Sequence, residues 1–431
     1  PKIGLHADAT AMARDKAQAI RDHFSRWIWQ DPDRAERLVR VYNDKYNVWA
    51  PWRPDGSHIK FIGMTPEITM RPTQANAVWR MLQGNTLLAH EVGAGKTFTM
   101  MAGAMEARRL GIARKPVMAV LKSTYESMVR DARLLYPGIK LLAPTPEDFS
   151  AANRMRTLNR IATGDWDLVI ITHDWLTSLP VRPETFNDFI SEQIAQIDDV
   201  LKEVTGGLKA NDLPDSQRAT ARNLERQRRT LEAKFRKVVE EGKRDTTIYF
   251  EDLGIDMLMI DEAHYFKNLF YATQRDRIPG LSTASADRSV DMFLKVRTIN
   301  RLTGGRGVTF ATGTPMLNTM SELYTMQKYL QYDTMENMGL LHFDNWANNY
   351  AMDETVWEMS MTGASMRPVT KFTRFTNVPE LYMMASDVVD WLTMEDVIRE
   401  AERVGIEIGM PKVKRIPVLS PKDDFWIDFI N

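Results

Sequence analysis

The 431-residue chain contains no cysteine. That excludes disulfides, thiolate catalysis and cysteine-ligated zinc. No apolar run approaches the roughly 20 residues of a membrane span, and the N-terminus lacks a signal-peptide pattern. A cytoplasmic protein without a membrane partner is the expectation. Net charge is also missing: 56 Lys and Arg against 57 Asp and Glu leave −1. A neutral total neither supports nor excludes nucleic acid, because a local basic groove can sit on a neutral molecule. Hydrophobic content of 44% and charged content of 26% are ordinary for a globular chain long enough for two or three domains. The chain opens on Pro1 rather than methionine, as a fragment or processed product would.

What is present is concentrated in Ala89-His90-Glu91-Val92-Gly93-Ala94-Gly95-Lys96-Thr97. A short apolar run precedes it, and Phe98 to Ala102 reads as a helix. Strand, glycine-rich turn ending in Lys-Thr, and helix make a phosphate-binding loop. Glycines 93 and 95 let the N–H groups of Val92 to Thr97 close around phosphate oxygens, and the helix N-terminus adds its positive end. Lys96 is placed to reach the β- and γ-phosphates, and the Thr97 hydroxyl to ligate Mg2+. A nucleoside triphosphate, ATP, is the expected ligand. The general form of the loop has glycine where this chain has His90.

A second motif closes an apolar strand: Met257-Leu258-Met259-Ile260-Asp261-Glu262-Ala263-His264. Asp261 is expected to hold Mg2+, commonly through water, and Glu262 to polarise the attacking water as general base. Adjacent carboxylates at a strand end divide these jobs because successive side chains diverge. His264 is a candidate coupler to neighbouring motifs. A third motif, Gly307 to Pro315, ends in Thr312-Gly313-Thr314-Pro315; Thr312 and Thr314 are candidates for linking the γ-phosphate site to an interdomain surface. Alone, that segment reads as turn chemistry. A fourth, Arg71-Pro72-Thr73-Gln74, offers a Gln whose donor and acceptor match an adenine edge, the alternative being a helix-start glutamine.

From about residue 66 strands and helices alternate. Candidate strands are Thr86–Ala89, Val117–Leu121, Ile139–Leu142, Leu168–Thr172, Met257–Ile260 and Val308–Ala311. This predicts an α/β fold, a parallel sheet with helices on both faces and ligands at the strand carboxyl ends. Apolar spacing of Ile190, Ile194, Ile197, Leu201 and Val204, and of Leu224, Leu231, Phe235 and Val238, predicts an antiparallel helical hairpin at about 183–245. Its arginine-rich second arm is either a solvated face or a contact surface for nucleic acid or a sister domain. Residues 1–65 read as a helical extension, with Asp31-Pro32 starting its second helix. Its aromatics, Phe24, Trp27, Trp29, Tyr42, Tyr46, Trp49 and Trp52, are expected to pack as a small core, with a base-stacking platform as the alternative.

These four motifs, in this order, resemble those of superfamily-two helicases, and within them the Swi/Snf-type ATP-dependent DNA translocases. That group has Asp-Glu-Ala-His, two residues, then Lys-Asn, here Asp261 to Asn268. Its Thr-Gly-Thr-Pro, two residues, Asn and downstream Glu-Leu appear as Thr312 to Asn318 and Glu322-Leu323. Tyr42-Asn43, Asp55 to His58, Ile161 to Asp167 and Gly304 to Gly307 are similar to the helicase part of phage and plasmid proteins that fuse an adenine-type DNA methyltransferase to a helicase, some linked to antirestriction. The resemblance implies a RecA-like first lobe at 66–335, a linker or brace at 336–431, and a DNA-dependent ATPase that moves on double-stranded DNA once joined to a second RecA-like lobe. It places Lys122-Ser123-Thr124 and Thr172-His173 against the DNA backbone, ordinary strand-end turns being the alternative. No second strand–helix series and no Gln-x-x-Gly-Arg motif follow Asn318. The implied partners are therefore DNA, a second lobe and a methyltransferase elsewhere in a parent chain. A nucleotide- or DNA-binding module without turnover of its own is the rival reading, and a small-molecule phosphotransferase a more distant one.

Overall fold

The computed structural model describes residues 16, 19–20, 23–24, 26–46, 52–206, 213, 215–241, 248–275, 278, 287–314, 320–359 and 366–405. Pro315 to Asn318, the ending at 411–421 and Trp49 lie outside them.

Among the described residues nine strands form two sheets: β1 (Thr86–His90), β2 (Pro116–Val120), β3 (Leu141–Leu142), β4 (Leu168–Thr172), β5 (Met257–Ile260), β6 (Val308–Thr312), β7 (Ala351–Met359), β8 (Met366–Phe375) and β9 (Val389–Leu392). The larger sheet runs β3-β4-β2-β5-β6-β1-β9, and every neighbouring pair is parallel. Every residue of β1, β2, β4, β5 and β6 is buried. Such near-continuous apolar strands suit a sheet with both faces covered.

The two faces divide the strand residues by alternation. Leu87, Val117, Val169, Leu258 and Phe310 pack with Phe293 and Ile299 of the helix Asp287–Thr303. Leu88, Met118, Ile170, Met259 and Ala311 pack with Val78 and Met81 of Pro72–Gln83 and with Met100 and Met101 of Lys96–Arg109. The fold is the expected α/β sandwich of helices around a parallel sheet. The helical hairpin is present as Pro183–Thr205 and Asp215–Glu241. Ile197, Val200 and Val204 of the first arm meet Ala221 and Leu224 of the second, closed by Phe270 and Ala272 from the main body.

Two features differ from expectation. The segment from residue 336, read as linker or brace, contributes to the body: Phe343, Trp346 and Tyr350 join the core of one sheet face, and β9 extends the sheet beside β1. The polar, alternating β7 and β8 pair as an antiparallel hairpin with a register shift at Met352/Asp353. In the N-terminal extension, Asp31 caps the helix Pro32–Tyr46, its carboxylate accepting from the N–H groups of Asp33 (3.0 Å) and Arg34 (3.1 Å). Among the described residues the aromatics there form no buried core. Phe24, Trp27, Trp29, Tyr42 and Trp52 are all exposed; the Arg34 guanidinium lies 3.6 Å from the Trp27 ring centre, and Phe24 stacks on the same ring with centroids 5.8 Å apart.

Candidate active site

The chain leaves β1 at His90, turns through Glu91 to Gly95 and enters the helix Lys96–Arg109. Gly93 and Gly95 hold φ of +91° and +86°, a region that L side chains avoid. At Gly95 space matters as well, since an added Cβ would lie 2.5 Å from Gln74 Nε2. Val92 is exposed, Ala94 is buried, and Thr97 is half-buried on the first helical turn. Thr99 Oγ1 donates to the Gly95 carbonyl at 3.1 Å, tying the turn to the helix.

Lys96 Nζ donates to the carbonyls of His90 (2.8 Å) and Glu91 (3.3 Å). Burial lowers its pKa, and the charges of Glu262 and Asp261 oppose that shift. The lysine therefore shares its surroundings with both carboxylates of the second motif. Asp261, at the end of β5, is buried, and its N–H donates to Ala119 O at 3.0 Å. Burial and then the neighbouring Glu262 push its carboxyl up to about 6, against the pull of Lys96. A buried and a half-buried carboxylate near one ammonium supply hard oxygen donors of the kind a divalent cation takes. Asp261, with the Thr97 hydroxyl, fits Mg2+ of the kind that keeps water and phosphate oxygens as its other ligands. Among the described residues no three His, Cys, Asp or Glu gather as a fuller metal cluster.

Glu262 adopts the left-handed conformation, φ +51° and ψ +49°. Outside glycine this costs strain of about 1 kcal/mol or more and often marks functional positions. Its carboxylate lies 3.1 Å from His264 Nδ1. The same nitrogen is 3.1 Å from Thr312 Oγ1, which accepts from the Thr314 N–H at 3.1 Å. A proton on Nδ1 serves both oxygens. A chain thus runs from Glu262 through His264 and Thr312 to Thr314. Gly313 brings that turn against the phosphate loop: a Cβ on it would lie 3.1 Å from Val92 Cγ2 and 3.7 Å from Lys96 Nζ. The three motifs meet at the carboxyl ends of β1, β5 and β6, where parallel sheets place their ligands.

Gln74 also reaches this site, though not by offering a free amide. Its Oε1 accepts from the Arg71 N–H (3.0 Å) and its Nε2 donates to Gly95 O (3.1 Å). The side chain is buried, so the groups expected to read adenine are committed to the helix start and the loop. Among residues expected at DNA, Lys122 and Ser123 are exposed and Thr124 half-buried in the turn after β2. Thr172 and His173 are buried. Thr172 Oγ1 accepts from the Trp175 N–H at 3.3 Å, and burial drives the His173 imidazole down to about 4. Strand-end capping occupies Thr172, and packing encloses His173.

One set of site residues has no motif to announce it. His90 Nε2 lies 2.7 Å from Asp390 Oδ2, and Arg80 Nε lies 3.6 Å from Asp390 Oδ1. Glu91 accepts from the Met394 N–H at 2.7 Å. The departure from glycine at position 90 is the sole sequence signal for this arrangement; its partner stands 300 residues away.

A family described as "Probable helicase domain" matches residues 79–393, and one described as a domain of unknown function matches residues 2–48. The "Defense against restriction protein B" of Escherichia phage P1 is 24% identical over 407 residues, 83% of this chain and 17% of that protein. The chain therefore spans less than a fifth of that relative's length. Among solved structures, the SWI2/SNF2 ATPase core of Sulfolobus solfataricus in complex with double-stranded DNA is similar at 14% identity and a TM-score of 0.39, covering 78% of this chain and 47% of that one. A hypothetical ATP-dependent RNA helicase from Sulfolobus tokodaii is similar at 12% identity and a TM-score of 0.29, covering 61% and 51%. With 79–393 matched as one unit enclosing the phosphate loop, the Asp261-Glu262 strand end and the Thr312 turn, the chain belongs to the probable helicase domain family.

Proposed function

We propose that this chain is the ATP-binding first lobe of a DNA-dependent ATPase of the Swi/Snf type, a cytoplasmic motor that hydrolyses ATP and moves on double-stranded DNA when joined to a second lobe. The observation that carries this reading is the shared environment of Lys96, Asp261 and Glu262 at adjoining strand ends. The backbone N–H groups of Val92 to Thr97 wrap the phosphates, and Lys96 exchanges the His90 and Glu91 carbonyls for phosphate oxygens. Mg2+, when bound at Thr97 and Asp261, supplies charge neutralisation on the β- and γ-phosphates. Glu262 takes a proton from the water that attacks the γ-phosphorus in line. His264 holds that carboxylate and passes its position through the buried Thr312 to the half-buried Thr314, the proposed link toward the second lobe. The exposed turn Lys122-Ser123-Thr124 is the DNA-side candidate on this lobe.

The test is ATP turnover with and without duplex DNA in a protein that carries both lobes. Lys96→Ala and Glu262→Gln are each expected to lower turnover by about two orders of magnitude or more, with Glu262→Gln retaining nucleotide binding. Retained turnover in either variant refutes the assigned roles. Nucleotide binding without turnover in the wild-type two-lobe protein would favour a binding module instead.

A further inference from the structure

We infer that Asp390, in the added edge strand β9, is a positioning residue for the phosphate loop, acting with Arg80 through His90. The inference rests on the ATP reading of that loop and names a determinant of it outside the helicase motifs.

The starting point is a pair of carbonyls. Lys96 Nζ rests on His90 O and Glu91 O. Whatever fixes those two peptide groups sets where the lysine waits and how the following N–H groups are aimed. Both residues are fixed from β9 and the helix that follows it. The Glu91 N–H donates to Leu392 O at 2.9 Å, and its carboxylate accepts from the Met394 N–H at 2.7 Å. The His90 imidazole is 1% exposed and meets Asp390 at 2.7 Å.

Asp390 is itself held from behind. Arg80, 5% exposed, faces its other oxygen at 3.6 Å, and its Nη1 donates to Ser386 O (2.8 Å) and Asp387 O (3.2 Å). Arg80 lies on the helix Pro72–Gln83, the helix whose Gln74 donates to Gly95 O at the far end of the loop. The loop is thus gripped at its start by β9 through His90 and Glu91, and at its end by Gln74, with Arg80 joining the two grips. A histidine at position 90 makes sense here, since a glycine could not reach Asp390.

Pre-arranging a loop lowers the ordering cost that its ligand would otherwise meet. Loss of the Asp390 contact should therefore weaken nucleotide binding in protein that remains folded. The experiment measures the dissociation constant of a fluorescent ATP analogue for the 431-residue chain and its variants, with circular dichroism and thermal unfolding in parallel. Asp390→Ala is expected to raise the dissociation constant by about fivefold or more. Asp390→Asn, whose amide oxygen still accepts from His90 Nε2–H, is expected to recover most of the loss. If Asp390→Ala does not fold, His90→Phe fills the same space without the hydrogen bond and carries the same expectation. A folded variant that binds as tightly as wild type, whatever its melting temperature, overturns the inference. Equal loss in Asp390→Ala and Asp390→Asn also overturns it, since the hydrogen bond would then not be the cause. Wild-type chain that binds no nucleotide would instead overturn the ATP reading, and the inference with it.

Discussion

Lys267 Nζ lies 2.8 Å from Glu322 Oε1, with the two residues 55 positions apart. The lysine belongs to the Lys-Asn that follows Asp-Glu-Ala-His, and the glutamate to the Glu-Leu that follows Thr-Gly-Thr-Pro. The second and third motifs, joined at the top through His264 and Thr312, are therefore joined again beneath. Tyr329 adds a third tie, donating its hydroxyl to Phe266 O at 3.0 Å. Glu322 is 8% exposed and Lys267 18%. Removing Lys267 takes a close cation away from a largely buried carboxylate. Lys267→Met is expected to destabilise by roughly 2–4 kcal/mol, and the double variant Lys267→Met/Glu322→Leu to recover much of that loss. Denaturant unfolding of the three proteins checks it; an additive double variant would show that the pair does not act as one.

Gln74 gives a prediction about selectivity. Because both ends of its amide are bonded within the protein, Gln74→Ala should weaken ATP and GTP binding by a similar factor. Competition titrations decide it. A variant that loses ATP affinity alone would restore the glutamine as a reader of adenine.

Gly95 combines a positive φ with a filled Cβ position. Gly95→Ala is expected to cost about 1–3 kcal/mol of stability from backbone strain and to reduce nucleotide affinity further by displacing Gln74. Shrinking the neighbour in Gly95→Ala/Gln74→Gly removes the collision but not the strain, so only part of the stability should return. Full recovery of the melting temperature would assign the whole effect to the collision.

Lys328 is fully buried in the helix Ser321–Leu330, near the Phe293 ring at 5.9 Å, and its Nζ has no hydrogen-bond partner among the described residues. Burial lowers its pKa from 10.5 to about 8. The folded value lies below the unfolded one, so the unfolded chain binds more protons between about pH 8 and 10.5. Stability should rise with pH across that window. At pH 7 both states are charged and the burial cost is fully present, so Lys328→Met should stabilise by on the order of 2–3 kcal/mol. Urea unfolding at pH 7, 8.5 and 10 tests both parts; an unchanged slope with pH in the variant would assign the titration to another group.

Much of this arrangement was legible in the residue order, for identifiable reasons. Five of the six expected strands form over nearly the expected bounds, because a parallel strand buried on both faces is written as a short apolar block; of Ile139–Leu142 only Leu141–Leu142 is strand, at the sheet edge. The motifs could be read because each packs its chemistry into neighbouring residues. β9 was not legible: Val389-Asp390-Trp391-Leu392 is a half-exposed edge strand interrupted by a carboxylate, so it lacks that signature. The partners of His90 and Lys267 were hidden for a different reason. Pairs across hundreds or tens of residues leave no local pattern, only a departure such as a histidine where a glycine is usual. The aromatics of the extension misled in the opposite direction: their number suggested a core, but among the described residues Phe24, Trp27, Trp29, Tyr42 and Trp52 are exposed.

The place of β9 in the chain has a consequence for how the protein is made. β1 emerges from the ribosome with one flank to be covered by β6 and the other by a strand some 300 residues later. At typical synthesis rates that is roughly 15–60 s. For that interval the strand bearing the phosphate loop is an open sheet edge, with unpaired N–H and C=O groups beside apolar Leu87 and Leu88, which is the kind of surface that recruits chaperones or other chains. The glycine-rich loop, though it precedes most of the sheet's strands in the chain, follows a strand that is among the last parts of the sheet to be finished.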